Sequence, residues 1–159
     1  MGRRSTKENK NIYQTSRENV NLTRDAASER LVHISPDRIE KIENEKCLPH
    51  PDEILAMADV YKNPLLCNYY CSNECPIGQK YVPELELKSL SQITLEILAS
   101  LNAMEQEKNR LIEITVDGHI GLSELEDFNK IHAQLSEISV AVDSLQLWLE
   151  TVAAEKHES

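Results

Sequence analysis

The sequence predicts an all-α chain: five short helices over residues 11–66, then a long antiparallel helical hairpin over residues 85–157. Three observations carry this reading. Apolar residues make up 40% of the chain but aromatics only 4%, so any core is mostly Leu, Ile, Val and Ala, a palette that favours packed helices. Four Gly and six Pro leave few places for tight turns. Apolar residues also recur at spacings of three and four through long stretches, as one face of a helix requires.

Residues 1–10 are polar and charged, and are expected to form a flexible basic arm. Ile12 to Asn19 reads as a short amphipathic first helix. Thr23 is placed to cap a second helix running through Ala26, Ala27 and Leu31, where the small alanines permit a crossing helix to approach closely. Ser35-Pro36 opens the third, Ser being a preferred cap and Pro suiting the first helical position. Ile39 and Ile42 fall on one face of it. Pro49 and Pro51 end the next turn, with Asp52 and Glu53 at the positive end of a fourth helix. There Ile54, Leu55, Ala58 and Tyr61 are expected to face inward. Pro64 opens a short fifth helix.

Residues 67–84 hold a cysteine cluster and a linker punctuated by Pro76, Gly78 and Pro83. Cys67, Cys71 and Cys75 are spaced four apart, which on a continuing helix places Cys67 and Cys71 on one face. Three thiolates and a fourth ligand make a tetrahedral zinc site, and thiolates also hold iron–sulfur clusters. Cys47 is the preferred fourth ligand, with His50 and His33 as alternatives. The spacing is not one of the common patterns of either kind, and buried packing thiols account for it equally. Stable disulfides are not expected, because the chain reads as cytoplasmic.

In the last segment Phe128, Ile131, Leu135, Ile138, Val142, Leu145, Leu149 and Val152 alternate spacings of three and four, a heptad seam of coiled-coil kind. Leu87, Leu90, Ile97, Leu101, Met104 and Leu111 repeat it less cleanly, with Ile93 and Leu98 widening the face. Two such helices joined by one turn make a coiled-coil-like hairpin, and two hairpins can pair into a four-helix bundle. A homodimer is therefore expected, with Trp148 near the seam. Between the helices, the stretch from Glu113 to Glu124 resembles a calcium loop at its Gly, Ile and final Glu positions, yet it has too few carboxylates for tight binding. Asp117-Gly118 is expected to be a plain turn.

The net charge is −10. Residues 1–66 carry 11 basic and 11 acidic side chains, and residues 67–159 carry 6 and 16. This argues against non-specific coating of nucleic acid, but screening over roughly 8 Å leaves room for local phosphate contacts in the neutral half. No run approaches the roughly 18 apolar residues of a membrane span, so no membrane partner is expected. A Gly-rich phosphate loop, a His-Glu-x-x-His motif and the usual nucleophile motifs are all missing, so no enzyme is expected.

The run Leu22-Thr23, Ala26, Leu31, Ile39, Ile42-Glu43-Asn44, Pro49, Leu55 and Ala58 resembles the Cro and lambda-repressor class of helix-turn-helix transcriptional regulators, the xenobiotic-response-element (XRE) family. Its most specific part is Arg38 to Lys46, which resembles the family's Ile-x-x-Ile-Glu-Asn-Gly-Lys signature. The resemblance implies a five-helix lambda-repressor-like DNA-binding domain over residues 11–66. It implies double-stranded DNA as partner, with the third helix in the major groove.

Carried over by position, Ser35, Asp37, Arg38 and Lys41 are the base-reading candidates, and Arg17, Arg24 and Lys46 the phosphate contacts. Arg3, Arg4 and Lys7 add contacts from the arm. The chain departs from the family in three places. Val32-His33-Ile34 stands where a Gly usually follows Leu31, Arg24 replaces a common Gln, and Asp37, Glu40 and Glu43 make the third helix partly acidic. The alternative is a helical adaptor binding a protein partner through the acidic hairpin. The two are separated by whether Arg17, Arg24, Arg38, Lys41 and Lys46 form a positive face or are neutralised by neighbouring carboxylates.

Overall fold

In a computed structural model, which describes residues 9–156, every regular element is a helix. The order is α1 (Ile12–Asn19), α2 (Arg24–Leu31), α3 (Pro36–Glu43), α4 (Pro51–Val60), α5 (Leu65–Tyr69), a π-helical turn (Tyr70–Glu74), α6 (Gly78–Tyr81), α7 (Leu90–Thr115) and α8 (Leu125–Lys156). Among the described residues no helix is long and apolar enough to cross a membrane. The described residues divide into two compact units, one comprising residues 9–85 with 149–156 and the other residues 86–148. The arm residues Arg3, Arg4 and Lys7 lie outside the described residues.

In the first unit the helix starts are set by side-chain caps. Asn11 accepts from the Gln14 amide, Thr23 from Ala26 and Ser35 from Arg38, each satisfying one of the free amides of a first turn. The helix ends are less ordinary. With so few glycines, the chain places Asn21, Glu45 and Lys62 in the left-handed region after α1, α3 and α4 (φ 57, 57 and 55°). The bonds Leu22 N–Arg17 O, Lys46 N–Lys41 O and Asn63 N–Ala58 O then close six-residue C-caps.

The helices surround a core of Tyr13, Leu31, Ile34, Ile39, Ile42, Ile54, Met57, Tyr61 and Leu66. α2 packs on α3 and α4, α1 on α3, and α4 on α5. On α4 the inward stripe is Ile54, Met57, Ala58 and Tyr61. The expected Leu55 is 66% exposed, because it sits one step off that stripe while Met57 completes it.

The segment after α5 is built onto this unit. Tyr13 Oη donates to Glu74 Oε2 at 2.8 Å, and the rings of Tyr13 and Tyr69 meet edge to face. Asn68 donates to Pro83 O and accepts from the Leu85 amide.

In the second unit α7 and α8 form an antiparallel pair. Arg110 of α7 bonds Asp127 of α8 at 2.7 Å, and Glu107 accepts from Lys130. α7 begins at Leu90, so Leu87 precedes it. Ser89 caps it in a reciprocal box with Gln92. Its buried residues are Ile93, Ser100 and Ile114, and those of α8 are Ile131, Ala141, Ser144 and Leu147. The expected heptad seam is therefore rotated: Ile131 is buried, whereas Leu135, Val142 and Leu149 are 44, 52 and 49% exposed. Two helices in contact cover only one narrow stripe of each. The turn between them is plain. Asp117 Oδ1 accepts from the His119 amide, Gly118 adopts φ 75°, and Glu124 Oε2 accepts from the Gly121 amide.

Candidate nucleic-acid interface

α2 and α3 are joined by residues 32–35. Val32 ends α2 at φ 59°, its amide bonding Ser28 O, and Ile34 plugs the core at 3% exposure. Ile34 thus anchors this turn in the core. Ser35 then starts α3, whose Ile39 and Ile42 are each 1% exposed. The opposite side of α3, with Asp37, Glu40 and Lys41, is exposed.

Two carboxylates hold α3 from behind. Glu43, 1% exposed, accepts from Arg17 Nε at 2.6 Å and Nη2 at 3.0 Å, and from Arg24 Nε at 2.8 Å. Arg17 Nη1 also donates to Leu22 O at 2.6 Å. Burial works against the Arg17 charge, but the Glu43 hydrogen bonds and charge outweigh it and hold the guanidinium above its ordinary range. On the far side, Arg38 grips both oxygens of Glu53 at 2.9 and 2.7 Å and donates to Cys47 Sγ at 2.9 Å and Leu48 O at 3.0 Å. Those hydrogen bonds raise Arg38 and hold the Glu53 carboxyl below its ordinary range.

The predicted DNA contacts consequently divide. Ser35, Asp37 and Lys41 share the exposed side of α3, with Lys41 paired to Asp37 at 2.7 Å, and Lys46 is exposed in the following turn. Arg17, expected at phosphate, is 6% exposed and serves as a bolt between α1 and α3. Arg24 is about one-third exposed and shared between Glu43 and Glu40. Arg38, expected on base edges, binds the α3–α4 turn to α4.

Sequence reasoning missed Glu43 and Glu53 as the anchors of these arginines. The signal was present for Glu43, which lies four residues after Ile39 on the helix's apolar face.

The four cysteines are free and half-buried. Cys67, Cys71, Cys75 and Cys47 do not form the expected ligand set: among the described residues no three His, Cys, Asp or Glu are placed to hold a metal ion. Cys47 is engaged by Arg38, and Cys75 has left the helix in extended conformation (φ −85°, ψ 119°). Burial, with Cys71 adding, raises the Cys67 thiol. The segment is nonetheless closely built. A Cβ on Gly78 would fall 2.0 Å from the Cys71 carbonyl oxygen.

No protein-family model matches the chain, and neither a curated protein nor a solved structure is significantly similar to it.

Proposed function

We propose that residues 11–66 are a lambda-repressor-like helix-turn-helix domain, and that the chain is a sequence-specific, repressor-type transcriptional regulator. One observation carries the reading. α3 is an eight-residue helix with its inner face locked by Arg17–Glu43 and Arg38–Glu53, while Asp37, Glu40 and Lys41 remain outward. A short, rigidly backed helix with a polar outer face is what major-groove insertion needs.

In this reading Lys41 donates to guanine O6 or N7 and Asp37 accepts from cytosine N4. Binding exchanges their exposed mutual pair, itself worth little, for base contacts. Lys46 and the exposed part of Arg24 meet phosphates. With few free cations, the affinity falls only shallowly with salt.

The test is selection of fragmented DNA by the anaerobically purified chain at two salt concentrations, alongside the double variant Lys41→Ala/Lys46→Ala. Enrichment of one motif by the native chain, lost in the variant, supports the reading. A folded native chain that enriches nothing at either salt overturns it.

A second reading is favoured by a specific observation: Arg17, Arg24, Arg38 and Lys41 are all paired with carboxylates. That neutralised surface suits a helical adaptor binding a protein partner, and failure of the DNA selection would leave it standing.

A further inference from the structure

The hairpin leaves one face bare. Its buried residues are Ile93, Ser100 and Ile114 on α7, at 0, 9 and 1% exposure, and Ile131, Ala141, Ser144 and Leu147 on α8, at 0, 3, 3 and 5%. One residue further along each helix, about 100° round the axis, the side chains emerge. Leu101 follows Ser100, Val142 follows Ala141, and Leu135 follows the half-buried Gln134; they are 50, 52 and 44% exposed. Leu98 and Ile112 flank Leu101 at 53 and 55%. Both helices are right-handed and antiparallel, so the same rotation away from the contact brings both stripes out on one face. Residues one step before the contact, Ala99 and Val140, open instead into a groove of about 490 Å³ on the other face.

We propose that the face bearing Leu98, Leu101, Ile112, Phe128, Leu135 and Val142 binds the same face of a second copy of this chain, closing a four-helix bundle. Phe128, Leu135 and Val142 recur every seven residues. That spacing is filled knob-into-hole by a helix with the same repeat. The chain's own α8 supplies one, and a patch that matches itself pairs about a two-fold axis.

Charge selects the same place. Residues 86–148 carry four basic and eleven acidic side chains, so two copies repel over most of their surface. Residues 97–104 carry no Lys, Arg, Asp or Glu, and residues 131–142 carry only Glu137; toward Ile112 the face does carry Glu105 and Lys108, which pair with each other at 2.7 Å. Interface centres are depleted of charge in this way.

The area is also sufficient. The six side chains present on the order of 500 Å² of mostly apolar surface, the size at which a patch marks an interaction site. That is the larger part of the roughly 800 Å² per partner of a standard interface.

Sedimentation equilibrium of the full chain without DNA tests this. The expected mass is twice 18.1 kDa. Leu135→Glu/Val142→Glu is expected to weaken association roughly 100-fold or more, with helical circular dichroism unchanged because both sites are exposed in the single chain. Leu135→Ser/Val142→Ser gives the same result more mildly if the charged pair unfolds. Ser136→Glu, on the groove face, is expected to leave the dimer intact. A native chain that stays monomeric at the highest concentration reached overturns the proposal, as does a dimer indifferent to the Leu135 and Val142 changes. The readout involves no DNA, so its failure and that of the regulator reading are separate results.

Discussion

The Arg17 guanidinium holds both oxygens of the Glu43 carboxylate, through Nε at 2.6 Å and Nη2 at 3.0 Å, where the two side chains are 7 and 1% exposed. This bidentate pair ties α1 to the far end of α3, and Arg24 reinforces it from α2 at 2.8 Å. Removing one partner of such a pair leaves a charge buried without compensation. Glu43→Ala is expected to cost about 3–5 kcal/mol. Arg24→Ala, at a partly exposed position, is expected to cost about 1 kcal/mol or less. Urea unfolding of both variants checks this ranking, and a Glu43→Ala cost below that of Arg24→Ala would refute it.

Val32 is a β-branched residue at φ 59°, where L side chains clash with their own backbone, and its side chain is 74% exposed. Glycine removes the clash and forfeits little burial. Val32→Gly is expected to stabilise the domain by about 1 kcal/mol, after allowance for glycine's greater freedom in the unfolded chain. Thermal unfolding is the measurement; a lower melting temperature would show that the strain is not there.

Gly78 tests the cysteine segment. Its would-be Cβ meets backbone, the Cys71 carbonyl, rather than a flexible side chain. Gly78→Ala is therefore expected to displace the turn, costing about 1–3 kcal/mol as overpacking does. The Cys71 thiol should then react faster with a water-soluble maleimide. Unchanged labelling and stability would mean that the contact is not maintained in solution.

Two carboxyls are expected to impose opposite pH dependences. The Arg38 hydrogen bonds hold Glu53 below its ordinary 4.5, so the unfolded chain takes up that proton first. The pair's contribution is complete above pH 4.5 and is lost as pH falls through the depressed folded value. Glu74 is raised, first by burial and then by Glu45, with the Tyr13 hydrogen bond partly offsetting them. Its contribution is complete below 4.5 and is lost as pH rises through the folded value. Unfolding free energy against pH should show a flattened acid limb for Arg38→Ala. For Glu74→Gln it should show a gain at neutral pH that vanishes below 4.5. Parallel curves for native chain and variants would contradict both assignments.

Much of the helical pattern was legible in the residues themselves. Thr23 and Ser35-Pro36 mark the starts of α2 and α3, Pro64 precedes α5, and the region around Asp117-Gly118 divides α7 from α8. The ends were harder to see, because Asn21, Glu45 and Lys62 take conformations usually signalled by glycine. On α3, Ile39 and Ile42 identified the buried face and hence the exposed one. Which cations stand on that exposed side was not legible.

The sequence by itself determined where most of the helices lie, α6 within the expected linker excepted, and the polar or apolar character of their faces. Capping and amphipathic periodicity act over three or four residues and can be read locally. Tertiary structure decided how those faces are used. It turned Arg17 inward to Glu43, 26 positions away, and spent Arg38 on Glu53, 15 positions away. It also turned the α7–α8 contact toward Ile93 and away from Leu135 and Val142. A guanidinium is satisfied by whichever carboxylate the fold brings within about 3 Å, and a helix buries whichever stripe its neighbour covers. Neither choice can be inferred from spacing along a single helix.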